Sequence, residues 1–140
     1  MRPSLVFVLL ALAVMPLGGC AFISSDETAE SLRASAEHKA EFNVPVPPGN
    51  ACARVARMLM WCAGGPNFHY RCSIAQDGGQ AQLSGVLEAV YRTEVFMVTD
   101  FTKTPSGSAA VLHQHDSVLL YDYAPLIEKY LVSNQDCRTH

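Results

Sequence analysis

From Tyr70 to Gln114 the chain is dominated by alternation of apolar and polar residues, and a period of two points to strands of an antiparallel sheet. Tyr70, Cys72 and Ile74 share one face of a first strand, Asp77-Gly78-Gly79 makes a hairpin turn, and Ala81, Leu83, Gly85 and Leu87 continue on the far side. A third strand is predicted over Thr93 to Lys103, with Val95, Met97, Thr99 and Phe101 opposite Phe96, Val98 and Asp100. Thr104-Pro105-Ser106-Gly107 turns it into a fourth, Ser108 to Gln114. Near Tyr91 and Arg92 no Gly or Pro marks a turn, so that connection is not placed.

The flanks read differently. Phe42, Val44 and Val46 alternate with Asn43, Pro45 and Pro47, which allows an edge strand at best because proline cannot donate to a ladder. Asn50 is the expected N-cap of a helix to Ala63, with Cys52, Val55, Ala56, Leu59 and Met60 on one face and Arg54 and Arg57 off it; Gly64-Gly65-Pro66 ends it. Ala124, Ile127, Glu128 and Leu131, with Pro125 in the first turn, predict a second helix to Val132. The expected fold is α+β: an antiparallel sheet of four to five strands with two helices packed on one face, forming a single domain over residues 42–140.

At the N-terminus Arg2 supplies a positive charge and residues 5–14 an apolar run, the two leading parts of a secretory signal. The run is shorter than the roughly 20 apolar residues a membrane span needs. It closes on Leu17-Gly18-Gly19-Cys20. These residues resemble the lipobox of bacterial lipoprotein precursors: an aliphatic residue, two small residues that let the backbone enter a narrow protease cleft, and a cysteine whose thiolate takes a diacylglycerol group. The resemblance implies that residues 1–19 are a signal peptide, that Cys20 becomes the mature N-terminus, and that it carries diacylglycerol and a third acyl chain such as palmitate. At about 0.8 kcal/mol per buried CH₂ such an anchor does not release. The residues after Cys20 are Ala21 and Phe22 rather than the Asp that tends to retain lipoproteins at the inner membrane. The same resemblance therefore favours the periplasmic leaflet of the outer membrane, with the inner membrane and the cell surface as alternatives. Residues 20–41 are rich in Ser, Ala and Glu, with Leu32 the one large aliphatic after Ile23, and are expected to be a flexible tether containing at most a transient helix over Glu27 to Lys39.

Beyond Cys20 there remain Cys52, Cys62, Cys72 and Cys137, an even number that argues for two disulfides in an exported chain. Cys52 and Cys62 lie about 15 Å apart along one helix and cannot pair. Of the two remaining connectivities the favoured one joins Cys62 to Cys72 over the Gly64-Gly65-Pro66 turn and Cys52 to Cys137.

Chemistry is sparse. The chain has 10 Lys and Arg against 13 Asp and Glu, and the cations are scattered, which argues against nucleic acid as a partner. No Gly-x-Ser-x-Gly elbow and no paired carboxylates of glycosidase type are present, and no cofactor is implied. His113 and His115 fall on one face of a strand, and with Asp116 and His69 as further ligands they form the alternative reading, a metal-binding protein or metal-dependent enzyme. Trp61, Tyr121, Tyr123 and Tyr130 are divided between core packing and an interaction patch, with core packing favoured.

The order strand, helix, strands, helix is similar, at the level of architecture only, to the helix-grip arrangement of periplasmic lipoprotein domains such as those of the outer-membrane β-barrel assembly machinery. The function expected is therefore non-enzymatic: a lipid-anchored module, facing the periplasm, that binds another envelope protein or is structural. No small-molecule ligand is named by the sequence. A binding module of this build is expected to show an apolar or aromatic patch on the sheet face its helices leave uncovered.

Overall fold

The computed structural model describes residues 23–117, 120–132 and 137; the signal-like residues 1–19 and Cys20 lie outside them. In chain order the elements are α1 (Ala29–Ser35), β1 (His38–Val44), α2 (Pro48–Ala63), β2 (Phe68–Ile74), β3 (Gln80–Glu88), β4 (Thr93–Thr104), β5 (Gly107–Gln114) and α3 (Tyr123–Val132). The five strands form one antiparallel sheet in the order β1-β5-β4-β3-β2, an α+β fold with α2 and α3 on one face.

The turns follow their residues. Gly78 takes a positive φ of 69°, and the Gly79 N–H donates to the Asp77 carboxylate at 2.9 Å. The unmarked β3–β4 connection closes when the Ala89 N–H donates to the Arg92 carbonyl at 2.9 Å. Helix α2 begins earlier than expected: Pro48 occupies its first turn, where the missing N–H is no loss, and Asn50 lies inside the helix instead of capping it.

The main core lies between the sheet and the two helices. Val55 and Leu59 of α2 and Ile127 of α3 meet Leu83, Phe96, Phe101 and Leu112 of the sheet, all with no exposed surface. Near the start of β4 the alternation expected from sequence is interrupted. Gly85 pairs with Met97 and Val86 with Val95, so Phe96 is an extra residue opposite the β3 chain, a β-bulge. The bulge turns Phe96 into the main core beside Met97 and sends Val95 to the opposite face, where it joins Val98. Gly85 is required there, since a Cβ would stand 2.6 Å from Phe96 Cε2.

Two expectations are corrected. Residues 24–41 are not a flexible tether. Leu32 of α1 is fully buried against Val95 and Val98 on the sheet face opposite α2 and α3, and residues 38–41 belong to β1, paired with β5. A single large aliphatic suffices to hold this stretch because the bulge in β4 leaves Val95 and Val98 side by side for it, and the polar residues around it are hydrogen-bonded. Thr28 and Ser31 form a reciprocal capping box at the start of α1.

The disulfides are Cys52–Cys72 and Cys62–Cys137, the other of the two open connectivities. The cause is the difference in rise between helix and strand. A strand advances about 3.3 Å per residue against 1.5 Å in a helix, so the short run from Phe68 to Cys72 travels back along most of α2 and meets Cys52 rather than Cys62.

Candidate functional site

Among the described residues, polar side chains gather at the junction where the N-terminal segment crosses the sheet, and the outer face of α2 carries an exposed tryptophan.

At the junction Glu94, a buried carboxylate, accepts the backbone N–H groups of Ile23 and Ser24 at 3.0 and 3.1 Å. The Ser24 hydroxyl donates to the Val95 carbonyl at 2.8 Å, Arg92 Nη2 donates to the Ser24 carbonyl at 2.9 Å, and the Val95 N–H donates to the Asp26 carbonyl at 2.8 Å. Farther on, Arg33 of α1 forks onto Asp100 with two hydrogen bonds of 2.8 and 2.7 Å. His115, just past the end of β5, is buried and held by two carboxylates, with Asp26 2.6 Å from Nε2 and Glu37 2.6 Å from Nδ1. Burial opposes the imidazolium, but the two carboxylates outweigh it and hold the His115 pKa above its ordinary value. For Asp26 burial acts upward, and hydrogen bonds from Ser35 and His115 outweigh it to leave the carboxyl below its ordinary range. Glu37 is lowered mainly by its hydrogen bond to His115.

This arrangement answers the metal expectation. His113 and His115 do lie on the same face, but both nitrogens of His115 are engaged by carboxylates. His113 is displaced downward in pKa, mainly by burial, and lies toward Arg33, Lys39, Asp100 and Glu41. His69 is on β2, three strand spacings or about 14 Å from β5, and faces Glu88 at 3.5 Å. Asp116 is exposed and contributes its N–H to Glu37 at 3.2 Å. Among the described residues no group of three His, Cys, Asp or Glu side chains is placed to hold a metal ion.

The exposed apolar or aromatic patch expected on the sheet face opposite α2 and α3 is not there among the described residues. Over β4 and β5 it is covered by α1, and over β2 and β3 it carries Arg71, Ser73, Gln82 and Ser84. The exposed aromatic surface lies elsewhere. The inner side of α2 buries Ala51, Cys52, Val55, Ala56 and Leu59, which leaves Arg57, Met60 and Trp61 facing outward. Trp61 is 83% exposed and Met60 41%. With Met58 and Cys137 they line a cavity of about 580 Å³. The Cys62–Cys137 bridge fixes residue 137 against the helix at this point, so one wall of the cavity is covalently tied. Methionines adapt their shape and tryptophan gives a large rigid contact, with one cation at the rim; such a surface suits an apolar side chain of a partner.

The tyrosines split. Tyr123 and Tyr130 are buried, and the Tyr70 and Tyr123 hydroxyls share a hydrogen bond of 2.8 Å inside the core. Burial pushes the Tyr70 hydroxyl up to about 12 and Tyr123 farther still. Tyr121 remains 47% exposed. Sequence reasoning put Met60 in the core and missed the direction of Trp61; the helical spacing of Trp61 from Arg54 and Arg57, on the polar side, was the signal that could have found it.

Comparison with protein-family models, with curated proteins and with solved structures finds no match to this chain. Among the described residues no helix is long and apolar enough to cross a membrane.

Proposed function

We propose that this chain is an exported lipoprotein, anchored through acyl chains on Cys20 to the periplasmic leaflet of the outer membrane, that works as a non-enzymatic module binding another envelope protein. The observation that carries the binding role is Trp61, 83% exposed at the mouth of the cavity lined by Arg57, Met58, Met60 and Cys137. A tryptophan left in water by a small domain, beside two methionines and next to a disulfide, is the composition of an interface anchor rather than of a solvated helix face. The export and anchoring parts are supported by the Leu17-Gly18-Gly19-Cys20 motif after an apolar run, and two disulfides fit an oxidising compartment.

The test is a photo-crosslinking amino acid placed at Trp61 in cells making the full chain, followed by mass spectrometry of the adducts. A discrete envelope protein crosslinked from this position, and not from the exposed polar positions Arg71 or Ser73, is the expected result. Equal, non-specific adducts from all three positions would remove the binding role. Intact mass of the purified product separately reads whether the mature chain begins at Cys20 and carries fatty acid.

A further inference from the structure

The β3–β4 hairpin ends in adjacent exposed apolar side chains: Val90 is 89% and Tyr91 94% exposed, and Ala89 beside them is exposed as well. Nothing in the fold needs these side chains outside. The turn is closed by backbone groups of Ala89 and Arg92 and would tolerate polar residues.

What lies beside this tip is the exit of the N-terminal segment. Arg92, the residue after Tyr91, donates to the Ser24 carbonyl, and Glu94 accepts the N–H groups of Ile23 and Ser24. The chain is therefore tied to the base of the same hairpin at the last described residue before the anchor. Cys20 is only three peptide steps upstream of Ile23. However those steps run, they span at most about 11 Å. Cys20 thus lies within about 11 Å of Ile23, which is itself hydrogen-bonded to Glu94 at the hairpin base, so only a short leash separates domain and membrane.

We propose that the Val90–Tyr91 tip is a second, reversible membrane contact that sits in the lipid headgroup region next to the anchored N-terminus. A tyrosine ring with its hydroxyl outward is suited to the boundary between acyl chains and headgroups, and a valine adds apolar area. Ala89, Val90 and Tyr91 carry no charge, so the contact depends on apolar burial and not on anionic lipid. The orientation follows: the end of the sheet holding the hairpin tip faces the bilayer. This inference rests on the lipid-anchor reading.

The test uses the full mature lipoprotein with Tyr91→Trp in a Trp61→Phe background, reconstituted into vesicles of phosphatidylethanolamine and phosphatidylglycerol. Both positions are exposed, so the fold is expected to be retained, and circular dichroism checks it. The expected result is a blue-shifted indole emission, quenched by lipids brominated on the acyl chain and unchanged when phosphatidylglycerol is left out. An emission typical of water-exposed indole without quenching, from protein that floats with the vesicles, overturns the tip contact and leaves the anchor standing. Protein that neither floats nor carries fatty acid by intact mass overturns both. In the same vesicles Val90→Asp with Tyr91→Trp serves as a control, and loss of the blue shift is expected.

Discussion

The Nε2 of His115 stands 2.6 Å from the Asp26 carboxylate, joining the end of the sheet to the segment that leads into α1. Glu37 closes on the other ring nitrogen at the same distance, so one imidazole fastens both ends of that segment.

The strength of this fastening depends on pH from both sides. The folded His115 pKa is raised, so its contribution is full below the ordinary histidine value of 6.5 and is lost as pH rises through the higher folded value. Asp26 and Glu37 are lowered, so theirs is full above their ordinary values of 3.8 and 4.5 and is lost as pH falls through the lower folded values. Docking of residues 24–37 is expected to be firmest between about pH 4.5 and 6.5 and to loosen toward alkaline pH. Amide hydrogen exchange at Leu32 and Ala36, corrected for intrinsic rates, measures it. Protection that stays constant from about pH 6 into the alkaline range, through and beyond the raised His115 value, would contradict the assignment. His115→Ala, which leaves Asp26 buried without its cation, is expected to cost about 2–3 kcal/mol.

Gly85→Ala is expected to destabilise the domain by about 1–3 kcal/mol, because Phe96 is packed by Phe68, Tyr70 and Tyr123 and cannot retreat from the new methyl group. Denaturant midpoints report the change. Combining it with Phe96→Leu should cost less than the two changes summed, and strict additivity would place the clash elsewhere.

Each disulfide cysteine falls on its own tryptic peptide, which makes the connectivity directly readable. A non-reducing digest is expected to join residues 40–54 to 72–92 and residues 58–71 to 130–138, as Cys52–Cys72 and Cys62–Cys137 require. A linked pair of 58–71 with 72–92 would restore the pairing favoured by sequence. Replacing Cys52 and Cys72 by serine is expected to cost roughly 3 kcal/mol, and replacing Cys62 and Cys137, which close a longer loop, roughly 4 kcal/mol.

Trp61→Ala separates recognition from stability. The side chain is largely in water, so the denaturation midpoint should move by no more than about 0.5 kcal/mol, while partner binding should weaken by about 2 kcal/mol or more. Isothermal titration with the crosslinked partner reads the second quantity, and an unchanged affinity would take Trp61 out of the interface.

The sheet was legible because its hairpins are written in turn residues. Asp77-Gly78-Gly79 and Thr104-Pro105-Ser106-Gly107 fall where strands reverse, and the alternation of Ser108 to Gln114 survives intact as buried Ser108, Ala110, Leu112 and Gln114. What was not legible depends on pairing across distance. The bulge at Phe96 leaves no local mark, since it arises from how Gly85 and Val86 meet β4. Without it, plain alternation puts Val95 in the main core and Phe96 beside Val98 on the other face, so the valine pair that holds Leu32 cannot be foreseen and the α1 segment reads as spacer. The disulfide choice likewise needed the relative advance of α2 and β2. At the candidate site, the composition around Trp61 was visible, but helix phase alone placed Met60 inside, where the edge of β2 in fact leaves it half in water; its sulfur accepts the Tyr70 N–H at 3.2 Å.

The irregularity in β4 also constrains how such a chain can change over generations. Because the central strand feeds one set of side chains to each side by a single unopposed residue, deleting or inserting one amino acid between Val95 and Val98 would exchange the two sets. Isoleucine or leucine swaps on either side are tolerable repackings. A shift in length is not, and lineages carrying this fold should keep the spacing from Glu94 to Phe101 fixed even where every side chain between them differs.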